Sequence, residues 1–202
     1  MFEQQMWEFQ SPLNQFHAKE LDYDTLMMLD KNKTLVVDNL RSDDFTSKDI
    51  GLMIRNESKG IAVKRFAHML PWLIIDKKAQ PTSKTYRRRI GNDEKLITSN
   101  VVKISLEIVP DFRWNDPQHG NSQSFWIWVQ DHDGLKILAE HKLTLNKKQV
   151  VDKEKIKLPL TILLNDVSQV PSHYVLHVDS DRWLGCDIEE DLKCEKLIEI
   201  HE

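Results

Sequence analysis

Val101-Val102-Lys103-Ile104-Ser105-Leu106-Glu107-Ile108-Val109-Pro110 decides the class of most of this chain. Val102, Ile104, Leu106 and Ile108 fall on every second position. Successive residues of a strand point to opposite faces, so the segment has one apolar and one polar face. Six further segments read as strands: residues 73–78, 124–130, 136–145, 156–164, 173–179 and 192–200. Turn residues separate them, among them Pro110-Asp111, Asn115-Asp116-Pro117, Asp131-His132-Asp133-Gly134, Pro171-Ser172 and Leu184-Gly185, with Asp133-Gly134 the sharpest hairpin signal. Seven short strands spaced this way predict an antiparallel β-sandwich of the immunoglobulin or fibronectin III class.

The period changes near residue 72. Leu21, Leu26, Met27 and Leu29 suit a short helix with Asp22 or Asp24 near its start, and Val36, Val37 and Leu40 suit another. Thr46-Ser47-Lys48-Asp49 offers hydroxyl caps and a first-turn acid ahead of Ile50, Leu52, Met53 and Ile54. Gly60 is expected to open a fourth helix, through Ile61, Val63, Phe66, Ala67 and Leu70, which Pro71 stops. None of these helices can bury its apolar face alone, so they are expected to pack as a bundle. The expected class is α+β in two domains: residues 1–72 a helical bundle, residues 73–202 the sandwich.

Composition bounds the function. Hydrophobic residues make up 40% and charged residues 30% of the 202, the profile of a soluble globular protein. No apolar stretch is long enough to span a membrane. The first twenty residues lack an apolar secretory core, so the expectation is cytoplasmic, with the nucleus admitted. Cys186 and Cys194 are then read as reduced thiols that pack as small hydrophobes. The net charge of −4 gives no global attraction to nucleic acid. Locally, residues 77–103 hold eight Lys/Arg against Asp93 and Glu94, whereas residues 179–202 hold nine acids against Arg182, Lys193 and Lys196.

The residues do not spell out a reaction. Neither GxxxxGK[ST] nor GxGxxG occurs, and there is no GxSxG, so no catalytic or cofactor residue is assigned. Asp131-His132-Asp133 and His119 concentrate ligand atoms without metal-site spacing, and no metal residue is assigned. Asp187-Ile188-Glu189-Glu190-Asp191 reads as a solvated turn before the last strand, and His173, His177 and His201 as strand positions. Arg87, Arg88 and Arg89 offer forked donors suited to phosphate, and Lys59, Lys64 and Arg65 lie near Gly60; these six are the candidate nucleic-acid contacts. A solvated loop or a protein-docking surface accounts for the three arginines at least as well, and a tight turn between two helices is the favoured reading around Gly60. Four of the six tryptophans sit in two clusters, Trp114 to Trp128 and around Trp183. Trp114, Trp126, Trp128 and Trp183 are expected to form the sandwich core and its lid, ahead of an exposed aromatic platform.

These motifs carry a resemblance. Met6-Trp7-Glu8-Phe9, Ser11-Pro12-Leu13-Asn14-Gln15-Phe16, Ile50-Gly51-Leu52-Met53-Ile54, Gln80-Pro81, Val109-Pro110-Asp111-Phe112, Trp114-Asn115-Asp116, His119-Gly120, Trp126-Ile127-Trp128-Val129 and Ser180-Asp181-Arg182-Trp183-Leu184-Gly185 follow one order along nearly the whole chain. That order resembles the Brl (Sec-sixty-three homology) region of Ski-like superfamily 2 RNA helicases. Within that family it most resembles the first cassette of the activating-signal-cointegrator branch and its fungal ribosome-quality-control counterpart, with the spliceosomal branch second and the meiotic DNA-helicase branch third. The resemblance implies a helix-loop-helix domain followed by an immunoglobulin or fibronectin III-like domain. It implies a non-catalytic fragment of an ATP-dependent RNA helicase, needing no cofactor of its own. Its partners would be the rest of the cassette, proteins of a ribosome-associated or spliceosomal complex, and RNA through auxiliary contacts. Residues 82–96 depart from the pattern as an insertion, so no family role transfers to Arg87, Arg88 or Arg89. A module that binds proteins and no nucleic acid is the alternative.

Overall fold

The computed structural model describes residues 10–16, 20–90, 93–164, 173–194 and 198–201, with side chains described for 10–16, 20–85, 98–164 and 173–194. The Met6-Trp7-Glu8-Phe9 motif and the Pro171-Ser172 turn lie outside the described residues.

The first third is helical for local reasons. A 3-10 turn, Pro12–Gln15, is capped by the Ser11 hydroxyl. In α1 (Tyr23–Lys31) the Asp22 carboxylate accepts from the Thr25 N–H, Asp24 lies in the first turn and Lys31 in the last, matching the helix dipole at both ends. α2 (Val37–Arg41) is short. α3 (Ser47–Met53) begins with a capping box, the Thr46 hydroxyl and Asp49 carboxylate each accepting from the other's backbone N–H. α4 (Glu57–Ala67) starts three residues earlier than expected: Gly60 lies within it. The glycine serves a crossing instead. A Cβ added to Gly60 would lie 1.9 Å from the Ser47 carbonyl oxygen and 2.8 Å from the Gly51 nitrogen, so α3 and α4 touch backbone to backbone.

Eight strands follow among the described residues: β1 (Leu73–Ile90), β2 (Asp93–Pro110), β3 (Ser122–Gln130), β4 (Ile137–Asn146), β5 (Ile156–Leu164), β6 (His173–Ser180), β7 (Ile188–Lys193) and β8 (Ile198–His201). Two short helices, α5 (Asp116–His119) and α6 (Lys147–Val151), had no period for the sequence to show. The strands form two four-stranded sheets, β5-β2-β1-β8 and β4-β3-β6-β7. Val102, Ile104, Leu106 and Ile108 are buried as read, and they meet Phe125, Ile127, Val129, Tyr174, Leu176 and Val178 of the other sheet. Pro159 is tolerated in β5 because β5 is an edge strand.

Several expectations are corrected. The solvated loop read for the tract around Arg87 to Arg89 is a continuation of the sandwich ladder. β1 and β2 pair without a break from Leu73↔Pro110 to Ile90↔Asp93, and the β-branched and aromatic residues of the segment favour the ladder. Among the described residues β8 pairs β1 as far as Thr85 and β5 pairs β2 as far as Asn100, and beyond these points β1 and β2 pair with each other as a two-stranded ribbon. The seventh expected strand is two. β7 pairs antiparallel with β6, and β8 pairs parallel with β1 in the opposite sheet. Of the expected turn at 187–191, all but Asp187 belongs to β7. Finally, Trp126 and Trp128 are not core residues. Their neighbours Phe125, Ile127 and Val129 take the inward positions, and period two turns both indoles outward, with Trp126 42% exposed. Trp183 is buried, but in the helical core beside Leu13, Phe16 and Phe66; Trp114 lies half-buried against the sandwich.

Candidate interaction surface and the junction beneath it

The two hydrophobic cores meet at a polar, fully partnered seam. Asn115 caps α5 by accepting from the Gln118 N–H, and Gly120, at φ 66, ends the helix as no side-chain-bearing residue does cheaply. This turn places His119, which is 0% exposed. Its Nδ1 accepts from the Asn115 N–H at 2.8 Å, so its proton must sit on Nε2, which donates to the Met69 carbonyl at the end of the helical region, also at 2.8 Å. Buried Gln123 donates to the His119 carbonyl at 2.6 Å and accepts from the Trp183 indole N–H at 2.9 Å. The Trp183 ring packs between Phe16 and His119, with centroids 4.9 and 5.6 Å away.

Two more clamps lie beside it. Arg41 of α2 donates to the Asp111 carboxylate at 2.8 Å, to the Asp111 carbonyl, and to the Ala67 carbonyl at 3.1 Å, with its guanidinium over Trp72. Burial would push the Asp111 carboxyl up, but the charges and hydrogen bonds of Lys153 and Arg41 outweigh it and hold the group below the usual range. Gln15 and Leu184 exchange two hydrogen bonds, at 2.9 and 2.8 Å, which tie the Pro12 turn to the Ser180-to-Gly185 loop. A Cβ at Gly185, where φ is 74, would lie 2.1 Å from Cγ of Pro12.

Burial holds the His119 ring below its ordinary pKa of 6.5, and the same cause acts on His68. In the unfolded chain both rings take up a proton near pH 6.5, whereas in the fold they resist it. The stability they support is therefore complete above about pH 6.5 and is lost as the pH falls through their folded values. Urea midpoints should drop between pH 7 and pH 5. His119→Gln should flatten that dependence while lowering the midpoint at pH 7; an unchanged slope would remove His119 from the linkage.

The six basic candidates separate into two groups. Lys59 pairs with Asp22 at 3.0 Å and donates to the Glu20 carbonyl at 3.1 Å. Arg65 pairs with Glu20 at 3.1 Å and lies over the Phe66 ring. Lys64 donates to the Ser42 carbonyl at 2.8 Å and to the Phe45 carbonyl. All three charges thus have partners within the helical region. Arg87, Arg88 and Arg89 fall on the ribbon, in register with Leu96, Lys95 and Glu94; their side chains lie outside the described residues.

Sequence reading gave Arg41, Gln15 and Gln123 no structural role, and held His119 as a ligand-type residue without metal-site spacing and as part of the His119-Gly120 motif. The spacing of Asn115 to His119 held the available signal, since a capping residue and a histidine one helical turn later can close on each other. Among the described residues no group of three or more His, Cys, Asp or Glu is placed to hold a metal. Asp131 instead closes the β3–β4 turn, accepting from the Leu135 and Lys136 N–H groups. Cys186 and Cys194 are free thiols.

The outward face of β4-β3-β6-β7 holds the remaining concentration of side chains. The Trp126 N–H donates to Asp181 at 3.1 Å, and Lys142 lies 4.9 Å from the ring centroid while pairing with Asp181 at 2.9 Å. Trp128 stacks on His177 at 5.0 Å and 8°.

The chain matches the family model described as "Sec63 Brl domain" over residues 1–193. It is 32% identical, over 93% of its length, to "Activating signal cointegrator 1 complex subunit 3" of Dictyostelium discoideum, and covers 8% of that protein. The same figures hold for the protein of that name from Homo sapiens. It is 34% identical to "DExH-box ATP-dependent RNA helicase DExH12" of Arabidopsis thaliana, over 93% of this chain and 8% of that one. The chain thus spans about 8% of the length of these curated relatives.

Proposed function

The chain belongs to the Sec63 Brl domain family, and from that premise we propose that it serves as a non-catalytic accessory region of an ATP-dependent RNA helicase, bracing the helicase cassette and docking protein partners. The observation that supports bracing is the seam: a tryptophan from the sandwich loop is buried in the helical core, and Arg41, Gln15 and His119 close hydrogen bonds across it. Buried partnered groups of this kind resist hinge motion, because opening them strands polar atoms away from water. The setting proposed is cytoplasmic ribosome-associated quality control, by resemblance to the signal-cointegrator branch; the spliceosomal branch is the alternative. Deleting these residues from the intact parent should spare ATP hydrolysis and depress unwinding and partner assembly. Equal unwinding would overturn the bracing role.

A second reading, docking without RNA, gains support from Lys59, Lys64 and Arg65, whose charges are already partnered. The ribbon arginines are then the proposed site of any phosphate contact. Arg87→Glu, Arg88→Glu and Arg89→Glu together in the intact parent should weaken RNA binding and flatten the log K against log salt slope by about 2, three contacts at about 0.7 each. An unchanged slope would favour the protein-only reading. A gel shift with the 202-residue chain at low and moderate salt separates the same alternatives.

A further inference from the structure

The outer face of β4-β3-β6-β7 shows one pattern twice. Trp126 has a carboxylate, Asp181, and a cation, Lys142, so this first set is complete. One step along β3, Trp128 has carboxylates around it and, among the described residues, no lysine or arginine over its ring. Its ring is stacked on His177; Glu140 lies opposite it on β4 and Glu189 opposite His177 on β7. Asp179, opposite Trp126 on β6, completes the group. Among the described residues Glu140, Asp179 and Asp191 make no ion pair, and Glu189 approaches only His177, at 3.6 Å. His177 Nε2 is buried with no hydrogen-bond partner among the described residues. Burial, with Asp187 beside it, holds the Asp179 carboxyl above its ordinary range, as expected for an acid that lacks a counter-charge.

This face is apolar in its rings and negative around them. Lys142 is already neutralised by Asp181. Phosphate would be repelled, which argues against RNA stacked on the tryptophans. A planar guanidinium answers both features, since it stacks on aromatic rings and offers paired donors to carboxylates. We infer that this face docks an arginine-bearing segment of a protein partner, a guanidinium seating on the Trp128–His177 stack with Glu140, Asp179 and Glu189 as its carboxylate partners. The inference gives chemistry to the docking role proposed above, and rests on it.

The test uses a fluorescein-labelled short peptide of alternating arginine and glycine, its lysine and glutamate analogues, and an oligouridine, each titrated by anisotropy against the chain at low salt. The arginine peptide should bind, the lysine peptide more weakly and the glutamate peptide not at all, and any oligouridine binding should be unchanged by Trp128→Leu. Asp179→Asn with Glu189→Gln should weaken arginine-peptide binding about tenfold or more. Trp128→Leu should abolish it. Glu107→Gln, on the other sheet and beside Lys155, should leave it unchanged. Thermal unfolding of each variant separates loss of the face from loss of the fold. Equal binding of arginine and glutamate peptides, full binding by the double variant, or oligouridine capture by this face would each overturn the inference. If Trp128→Leu in the intact parent loses a protein partner while the arginine peptide fails to bind, the arginine inference falls and docking stands. If face variants leave partner assembly unchanged, the docking role of this face falls too.

Discussion

Trp183→Ala is expected to lower the unfolding free energy by about 3–5 kcal/mol, among the largest effects of any single truncation in this chain. The side chain is 7% exposed and belongs to the helical core, although the chain reaches it from the end of β6. Truncation opens a void between Phe16 and His119 and strands the buried Gln123 oxygen, which otherwise accepts the indole N–H. Trp183→Phe separates these losses: it keeps much of the packing and loses the hydrogen bond, at about 1–3 kcal/mol. Urea unfolding followed by circular dichroism measures both. Because Trp183 links the two cores, the alanine variant should also split one calorimetric transition into two. A cost under about 1 kcal/mol, with a single transition retained, would show that the cores are joined by other means.

Gly60→Ala is the second large effect, and its sign runs against helix propensity. In an open helix interior alanine gains about 1 kcal/mol over glycine. Here the new methyl would lie 1.9 Å from the Ser47 carbonyl oxygen, a backbone atom that cannot rotate away. Overpacking costs about 1–3 kcal/mol when side chains can yield, and more when backbone must move. The net expectation is a loss of about 2 kcal/mol or more, a fall in melting temperature of about 4–8 °C for a chain of this size. Gly51→Ala meets the Glu57 Cα at 2.7 Å and should behave alike, since both glycines serve the crossing of α3 and α4. Ile61→Ala, at an exposed neighbouring position, is the control and should shift melting by less than about 2 °C. A Gly60→Ala protein that melts with or above the parent would mean that the helices do not cross this closely.

Much of the fold was legible because the forces that set it are local. Asp22, Thr46 and Asp49 name helix starts by chemistry that acts within one turn. Val102 to Ile108 names a half-buried strand by its period alone. Gly60 misled because a glycine at the start of a helix and a glycine at a helix crossing look alike in one dimension. Residues 82–96 misled because a departure from a family pattern reads as a loop, whereas its β-forming residues simply lengthen an existing ladder.

The candidate surface was harder to read. Period two placed Trp126 and Trp128 on one face, but nothing in the strand says which face is the core when Phe125, Ile127 and Val129 offer an equally apolar alternative. The partnering of Lys59 with Asp22, of Arg65 with Glu20, and of Lys64 with the Ser42 and Phe45 carbonyls depends on how helices return past one another.

The sequence by itself determined a helical part followed by a β-sandwich, most element starts, and the family, because capping, periodicity and motif order are all carried by near neighbours or by position along the chain. Only the tertiary structure decided that Trp183 belongs to the helical core, that His119 and Gln123 close the seam, and that Trp126 and Trp128 face outward. Those assignments rest on contacts between residues as far apart as Gln15 and Leu184. Such contacts form only where the two cores meet, and no local preference encodes where that is.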